Sequence, residues 1–158
     1  MPKLLWQPSE ERITQSNMTR FIQSANDRFK LNLNNYAELY EWSVNHISDF
    51  WACMWDFAEI RYSKTYDRVL DQAETMPGNK WFEGARLNFA ENLLPKRNDD
   101  IAIIERNESG SRKELSYSNL YDEVERIAAS MRELGVVKGD RVAGFLPNCS
   151  EAIIAMLA

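Results

Sequence analysis

Cysteine and histidine are scarce in this sequence of 158 residues, which limits the kinds of site it can form. The two cysteines, Cys53 and Cys149, stand far apart, form no CxxC pair and have no cluster of histidines nearby. Metal sites and disulfide frameworks need ligands or cysteines at close, regular spacing. The sequence therefore predicts neither a metal site nor a disulfide.

Long apolar runs and basic clusters are also missing. The longest apolar stretches, residues 50–55 and 152–158, are far shorter than the ~18 residues that a membrane span requires. The 19 lysines and arginines are interleaved with 24 acidic residues for a net charge of -5, whereas nucleic-acid binding needs clustered basic side chains. No apolar signal sequence follows Met1. We therefore expect a cytoplasmic protein that binds neither membranes nor nucleic acid.

The first half of the chain, up to about residue 95, is rich in aromatic residues and contains all five tryptophans. Apolar residues at helical spacing predict one helix capped by Ser16 or Asn17 and another capped by Ser48. This half is predicted to be a helical, aromatic-rich segment. Its other predicted elements are an extended stretch, a turn and a short helix, at residues 66–70, 76–79 and 87–94.

The second half is more regular. Residues 101–106 and 113–116 are predicted strands, and the polar, glycine-containing loop between them predicts a hairpin. An apolar helical stripe then runs from Leu120 to Leu134, and Gly135 supplies a helix stop. This stripe is the strongest helical pattern in the sequence.

The last segment predicts a strand at 141–146 and a final helix capped by Asn148 or Ser150. Strand, helix, strand, helix in this order predicts parallel pairing within an α/β sheet. The final helix runs into the apolar stretch 152–158, which has neither a glycine or asparagine stop nor basic residues in its last turn. We therefore expect the sequence to be truncated within a longer α/β domain.

Two isolated residues invite catalytic interpretations. His46 could act as a base oriented by Asp49 or Asp56, but no motif places a nucleophile beside it, and a solvated or packed histidine is the preferred interpretation. Cys149, just before a predicted helix start, could have a lowered pKa. A small buried or turn residue is the preferred interpretation there, because no paired histidine or CxxC is present.

Three segments of the second half resemble the opening motifs of the acyl-adenylate-forming superfamily, which includes acyl-CoA synthetases, luciferases and peptide-synthetase adenylation domains. They are ELSYSNL at 114–120, LGVVKGDRV at 134–142 and LPNCSEA at 146–152. Within that superfamily, WFEGARLNFAENLL at 81–94 resembles a signature of acetoacetyl-CoA synthetases and, more loosely, of acetyl-CoA synthetases. The start LLWQPS at 4–9 is more similar to the former.

The resemblance covers nearly the whole chain but only the front of such an enzyme. It implies an acetyl-CoA-synthetase-type N-terminal segment at 1–95 and the incomplete start of an AMP-binding domain at 96–158. The implied reaction of the parent enzyme joins acetoacetate to CoA. The acid attacks magnesium-bound ATP and releases pyrophosphate, and the CoA thiol then displaces AMP.

The family motifs that bind ATP and perform catalysis lie downstream of the matched part, so the resemblance assigns no catalytic, cofactor-binding or metal-binding residue here. The isolated chain is expected to be inactive and to bind ATP, Mg and CoA weakly at most. Its expected partners are the short acid of the parent enzyme and the rest of the same polypeptide.

Two alternatives remain open. The acid could be acetate or propionate, because the acid pocket is expected downstream. The chain could also be a stand-alone interaction module, in which the aromatic half and the open apolar helix bind a partner or a second copy.

Overall fold

The computed structural model describes residues 5–71 and 77–158. The chain divides into two compact units, one up to Leu87 and the other from Asn88 onward. Each unit has its own hydrophobic core cluster. Helices and a small antiparallel sheet occur in both units, so the predicted mixture of α and β structure is confirmed.

The described part of the first unit consists of helices followed by a short strand pair. In chain order these elements are α1 (Glu10–Thr14), α2 (Asn17–Phe29), α3 (Tyr36–Asn45), α4 (Ile47–Phe57), β1 (Arg68–Leu70) and β2 (Trp81–Glu83). Strands β1 and β2 pair antiparallel. Strand β1 lies within the stretch predicted to be extended at 66–70. The turn predicted at 76–79 begins outside the described residues.

Helix α2 begins where its capping residue predicts. The Ser16 hydroxyl accepts a hydrogen bond from the Thr19 backbone N–H at 3.1 Å, which satisfies one of the free donors of the first turn. The apolar stripe of the helix places Phe21 and Ala25 in the core of the unit. The buried residues of α3 and α4 that complete this cluster are Leu39, Trp42 and Cys53.

The junction between α3 and α4 differs from the prediction. Helix α4 begins at Ile47, so the prediction that Ser48 caps it is wrong. His46 alone separates the two helices. Its backbone N–H donates to the Trp42 carbonyl at 2.8 Å, while its own carbonyl accepts from the Phe50 N–H at 2.9 Å. Because this one residue ends α3 and starts α4, no room is left for a separate capping residue.

The second unit combines an antiparallel hairpin with helices. Its elements are α5 (Phe89–Leu93), β3 (Ile101–Arg106), β4 (Arg112–Ser116), α6 (Tyr117–Glu133) and α7 (Ser150–Leu157). The predicted hairpin and the predicted helix at α6 are confirmed, and Gly135 follows α6 with a positive φ of 86°. The core cluster of this unit contains Leu94, Leu120, Val124, Ile154 and Leu157.

The strand predicted at 141–146 is not formed, and the parallel pairing predicted for it is wrong. This segment has no regular secondary structure, and its apolar side chains Val142, Phe145 and Leu146 are exposed. A strand needs a hydrogen-bonded neighbour for its backbone groups. Within the described residues, each sheet is a single antiparallel pair that does not include this segment. An irregular connection, residues 134–149, therefore joins α6 to α7.

Replacing Ser116 with alanine is expected to lower the free energy of unfolding of the second unit by about 1 kcal/mol. The Ser116 hydroxyl caps α6 by accepting from the Asn119 backbone N–H at 3.2 Å. The measurement is urea-dependent hydrogen exchange of the α6 amides. Ser118→Ala, which leaves this cap intact, is the matched control. Equal losses in the two variants would contradict the capping role.

Candidate functional site

A polar cluster lies where α7 meets the β3–β4 hairpin. Helix α7 begins at Ser150 after Cys149, which makes no side-chain capping bond, so the predicted cap by Asn148 or Ser150 is wrong. Instead the Glu105 carboxylate of β3 accepts from the Ser150 backbone N–H at 2.9 Å and from the Ser150 hydroxyl at 2.7 Å. A side chain from another element therefore satisfies the first turn of α7.

An ion pair joins the same elements. Lys113 Nζ on β4 lies 2.7 Å from Glu151 Oε1 in the first turn of α7. This contact lowers the pKa of Glu151 to about 2 and raises the pKa of Lys113. The Ser150 hydroxyl, followed by its backbone N–H, lowers the pKa of Glu105. Both carboxylates are therefore ionised at neutral pH, and they lie near the positive end of the α7 dipole.

The cluster borders a pocket of about 230 Å³. Its charged side chains hold α7 to the β3–β4 hairpin. The carboxylates of Glu105 and Glu151 are engaged by donors, and the second unit contains no histidine that could activate the half-buried Cys149 beside them. Sequence reasoning missed Glu105 and Lys113 because they lie 45 and 38 residues from their partners. No local pattern marks contacts at such separations.

His46 lies at the α3–α4 junction without a catalytic arrangement. Its Nδ1 is 3.9 Å from Asp49 Oδ2, and both side chains are more than half exposed. Its ring stacks on Trp42, with centroids 6.4 Å apart. Asp56, the other carboxylate considered from the sequence, pairs with Arg28 instead. The geometry corresponds to the solvated or packed histidine that the sequence favoured.

The motif at 81–94 folds tightly in its first part, which belongs to the first unit. The Phe82 ring lies 4.7 Å from that of Trp55 and 5.3 Å from that of Tyr66, measured between centroids. Gly84 has φ 86°, and a Cβ placed there would lie 2.1 Å from Asp67 Oδ2. Only glycine fits this position without displacing the carboxylate.

The later part of the motif belongs to the second unit and begins α5. The Asn88 side chain caps this helix by accepting from the Glu91 backbone N–H at 2.9 Å. Leu94, directly after α5, is buried in the core of the unit. The motif therefore serves backbone geometry and packing in both units.

Metal ligands do not converge in the part of the chain that the structure describes. Within residues 5–71 and 77–158, no three His, Cys, Asp or Glu side chains are grouped so that they could hold a metal ion. No helix in the same ranges has the length and apolarity needed to cross a membrane.

Two family models match the chain one after the other. The model described as acetyl-coenzyme A synthetase N-terminus matches residues 36–93, and the AMP-binding enzyme model matches residues 90–158. Residues 90–158 are therefore similar to AMP-binding enzymes. The resemblance found from the sequence motifs is thereby confirmed.

Relatives of this chain include synthetases of two different CoA thioesters. An acetoacetyl-CoA synthetase from Xenopus tropicalis is 46% identical over 159 residues, which cover 99% of this chain and 23% of that protein. A malonamoyl-CoA synthetase from Penicillium aethiopicum is 42% identical, with 99% of this chain and 22% of that protein covered.

A solved structure matches the fold. It is an acetoacetyl-CoA synthetase from Streptomyces lividans, with a TM-score of 0.83 and 39% identity, covering 99% of this chain and 25% of that one. The chain therefore spans about a quarter of the length of these relatives. The predicted fold class, the front part of an adenylate-forming enzyme, is confirmed.

Proposed function

We propose that this chain is the N-terminal part of an AMP-forming acid–CoA ligase and that the acid is acetoacetate. The observation that carries the proposal is the match along 99% of the chain to acetoacetyl-CoA synthetases, at 46% identity to the Xenopus tropicalis protein. The Streptomyces lividans structure supports it independently through the fold.

The proposed reaction has two steps. A carboxylate oxygen of acetoacetate attacks the α-phosphorus of ATP, which forms the acyl-adenylate and releases pyrophosphate. The CoA thiol then attacks the acyl carbon, which forms the thioester and releases AMP. Such phosphoryl chemistry depends on positioning and on neutralising charge around the phosphates. Magnesium is part of the proposal for the whole enzyme, and no step is assigned to it in this chain.

The chain contributes structure to this reaction, with residues 1–95 as the N-terminal segment and residues 96–158 as the start of the AMP-binding domain. We assign no catalytic, cofactor-binding or metal-binding residue to it. The polar cluster at α7 supports this role, because its carboxylates are taken up in holding α7 to the hairpin. The cytoplasm is the proposed compartment, and the free thiols of Cys53 and Cys149 are typical of its reducing conditions.

A different acid with the same chemistry is the second candidate. The malonamoyl-CoA synthetase from Penicillium aethiopicum is 42% identical to this chain, so similarity at this level is shared by enzymes named for different acids. The acetyl-coenzyme A synthetase N-terminus model, which matches residues 36–93, keeps acetate among the candidates. The comparisons give no such support to a stand-alone interaction module.

A chimaera tests the proposal. Residues 1–158 replace the matching quarter of the Streptomyces lividans enzyme, and ATP–pyrophosphate exchange is measured with acetoacetate, malonamate and acetate. We expect exchange within about tenfold of the parent enzyme, because the transplanted part supplies a compatible scaffold, and an acid preference like that of the parent, because the acid pocket is expected downstream of residue 158. The parent without its first quarter is expected to show none. A folded chimaera that is inactive with every acid would refute the proposal.

The isolated chain of 158 residues gives the complementary test. We expect no acetoacetate-dependent ATP–pyrophosphate exchange from it, because it holds no assigned catalytic residue. The unaltered Streptomyces lividans enzyme is the positive control. Exchange above background would show that the chain has catalytic groups of its own.

A further inference from the structure

Helix α7 is joined to α6 by the irregular connection 134–149, whose apolar side chains Val142, Phe145 and Leu146 are exposed. Gly135 and Gly139, with φ of 86° and 107°, set two of its bends, and a Cβ at either would meet nothing within 4 Å. The connection is thus held in place by the elements at its two ends, and its own packing contributes little to its stability.

Two kinds of contact hold α7 in place. On its apolar face, Ile154 and Leu157 are buried against Leu120 and Val124 of α6. At its N-terminus every polar contact described above comes from the hairpin, through Glu105 and Lys113. Local side chains replace these contacts only in part, because Cys149 makes no capping bond and Glu151 Oε2 lies 3.3 Å from the Ser150 hydroxyl. The polar attachment is therefore concentrated at one end of the helix.

Glu105 is the more important of the two hairpin residues. It accepts two hydrogen bonds from Ser150, and the Ser150 side chain is buried, with 2% exposure of the residue. If Glu105 lost its oxygens, the Ser150 backbone N–H would lose its acceptor, and the buried hydroxyl would keep only its longer contact with Glu151 Oε2 at 3.3 Å. Lys113 and Glu151 are both more than half exposed, so solvent screens their ion pair and it contributes less.

We propose that α7 is a latch: the ionised Glu105 fastens it to the β3–β4 hairpin, and without that charge α7 opens as a local unit about the connection 134–149, exposing Ile154 and Leu157. The charged groups that face Glu105 are Lys113 on β4 and Glu151 on α7, with the Cys149 thiol beside them. The α6 side chains in the shared core are apolar. The proposal does not depend on the ligase assignment.

The pH dependence of the latch follows from the same contacts. Hydrogen bonds from Ser150 lower the pKa of Glu105 below its ordinary value of 4.5. A carboxyl group with a lowered folded-state pKa stabilises the closed form fully above the unfolded value and loses this effect as the pH falls through the folded value. The latch is therefore closed at neutral pH and is expected to open in acid, below about pH 4.5.

Hydrogen exchange of the 158-residue chain, read by mass spectrometry, tests the latch. In Glu105→Gln, the amides of 150–157 are expected to exchange about five- to tenfold faster, while those of α6 and the hairpin keep their rates. Glu108→Gln, in the exposed hairpin loop, is the matched control and should leave all rates unchanged. In the unaltered chain, acid should produce the same local increase after correction for intrinsic rates, and Glu105→Gln should lack this additional response.

Three results would overturn the proposal. Unchanged exchange of 150–157 in Glu105→Gln would show that the apolar face alone holds α7. An equal increase throughout 88–158 would show that Glu105 stabilises the whole unit and that α7 does not open separately. Unprotected α7 amides in the unaltered chain would show that no closed latch exists.

Discussion

Replacing Phe21 with alanine is expected to lower the free energy of unfolding of the first unit by about 3–5 kcal/mol, the range for removing a buried phenylalanine ring. Phe21 is 4% exposed and lies at the centre of the core cluster of α2, α3 and α4. Its ring meets those of Phe50 and Phe57 edge to face, with centroids 5.5 and 5.1 Å apart. Alanine would remove both contacts and leave a cavity between helices that cannot fully collapse.

Urea unfolding followed by tryptophan fluorescence measures this loss for the first unit alone, because all five tryptophans lie before Leu87. Gln23→Ala, on the exposed side of α2, is the matched control, and we expect a change within about 0.5 kcal/mol. A loss below about 1 kcal/mol for Phe21→Ala would contradict the packing described for this core.

The elements that the sequence predicted well carry their own local signals. Helices α2 and α6 each have the predicted apolar stripe; the predicted cap by Ser16 is formed on α2, and Ser116, which was not predicted as a cap, caps α6. The β3–β4 hairpin is equally local, because Gly110 adopts a positive φ of 82° and its N–H donates to the Asn107 carbonyl at 3.0 Å. Such elements are stabilised mainly by contacts between residues that are close in the sequence.

Helix α3 has a local signal at its N-terminus. The Asn35 side chain accepts from the Glu38 backbone N–H at 3.0 Å, and a Glu38 carboxylate oxygen accepts from the Asn34 N–H at 2.6 Å. The Asn34 contact is the main cause of a lowered Glu38 pKa. An asparagine followed three residues later by glutamate is typical of a helix start. This signal marks the start of α3, whereas the junction with α4 at His46 has no side-chain cap to mark it.

Other features could not be predicted because they depend on residues far away in the sequence. The apolar pattern of 141–146 suits a strand, yet a strand forms only against a partner, and none of the described residues pairs with it. The cap of α7 is similar, since Glu105 reaches it from β3 across 45 residues. Propensity and periodicity act over a few residues and contain no information about such pairs.

The family was easier to predict than the contribution of each residue. The motif at 81–94 identified the relatives, but its side chains are not grouped as reacting groups are. Gly84 and Asn88 act through the backbone, one by occupying a positive φ and the other by capping α5. The contribution of such motif residues is best measured as a change in the free energy of unfolding, and Gly84 allows the clearest test.

Gly84→Ala is expected to lower the free energy of unfolding of the first unit by about 2 kcal/mol. Part of the loss is the cost of a side chain at φ 86°, about 1–2 kcal/mol for a residue other than glycine. The rest comes from Asp67, whose Oδ2 would lie 2.1 Å from the new Cβ. Asp67 must move away and give up its contact with Lys64 Nζ, now at 3.1 Å.

A double-mutant cycle separates these two causes. Asp67→Ala alone removes only an exposed ion pair, so its effect should stay below about 1 kcal/mol. In the Asp67→Ala background, Gly84→Ala should cost about 0.5–1 kcal/mol less than in the unaltered chain, because the clash is gone while the backbone strain persists. The free energy of unfolding of the unaltered chain, the two single variants and the double variant is measured by tryptophan fluorescence during urea unfolding. Identical costs of Gly84→Ala in both backgrounds would show that glycine is required here by the backbone alone.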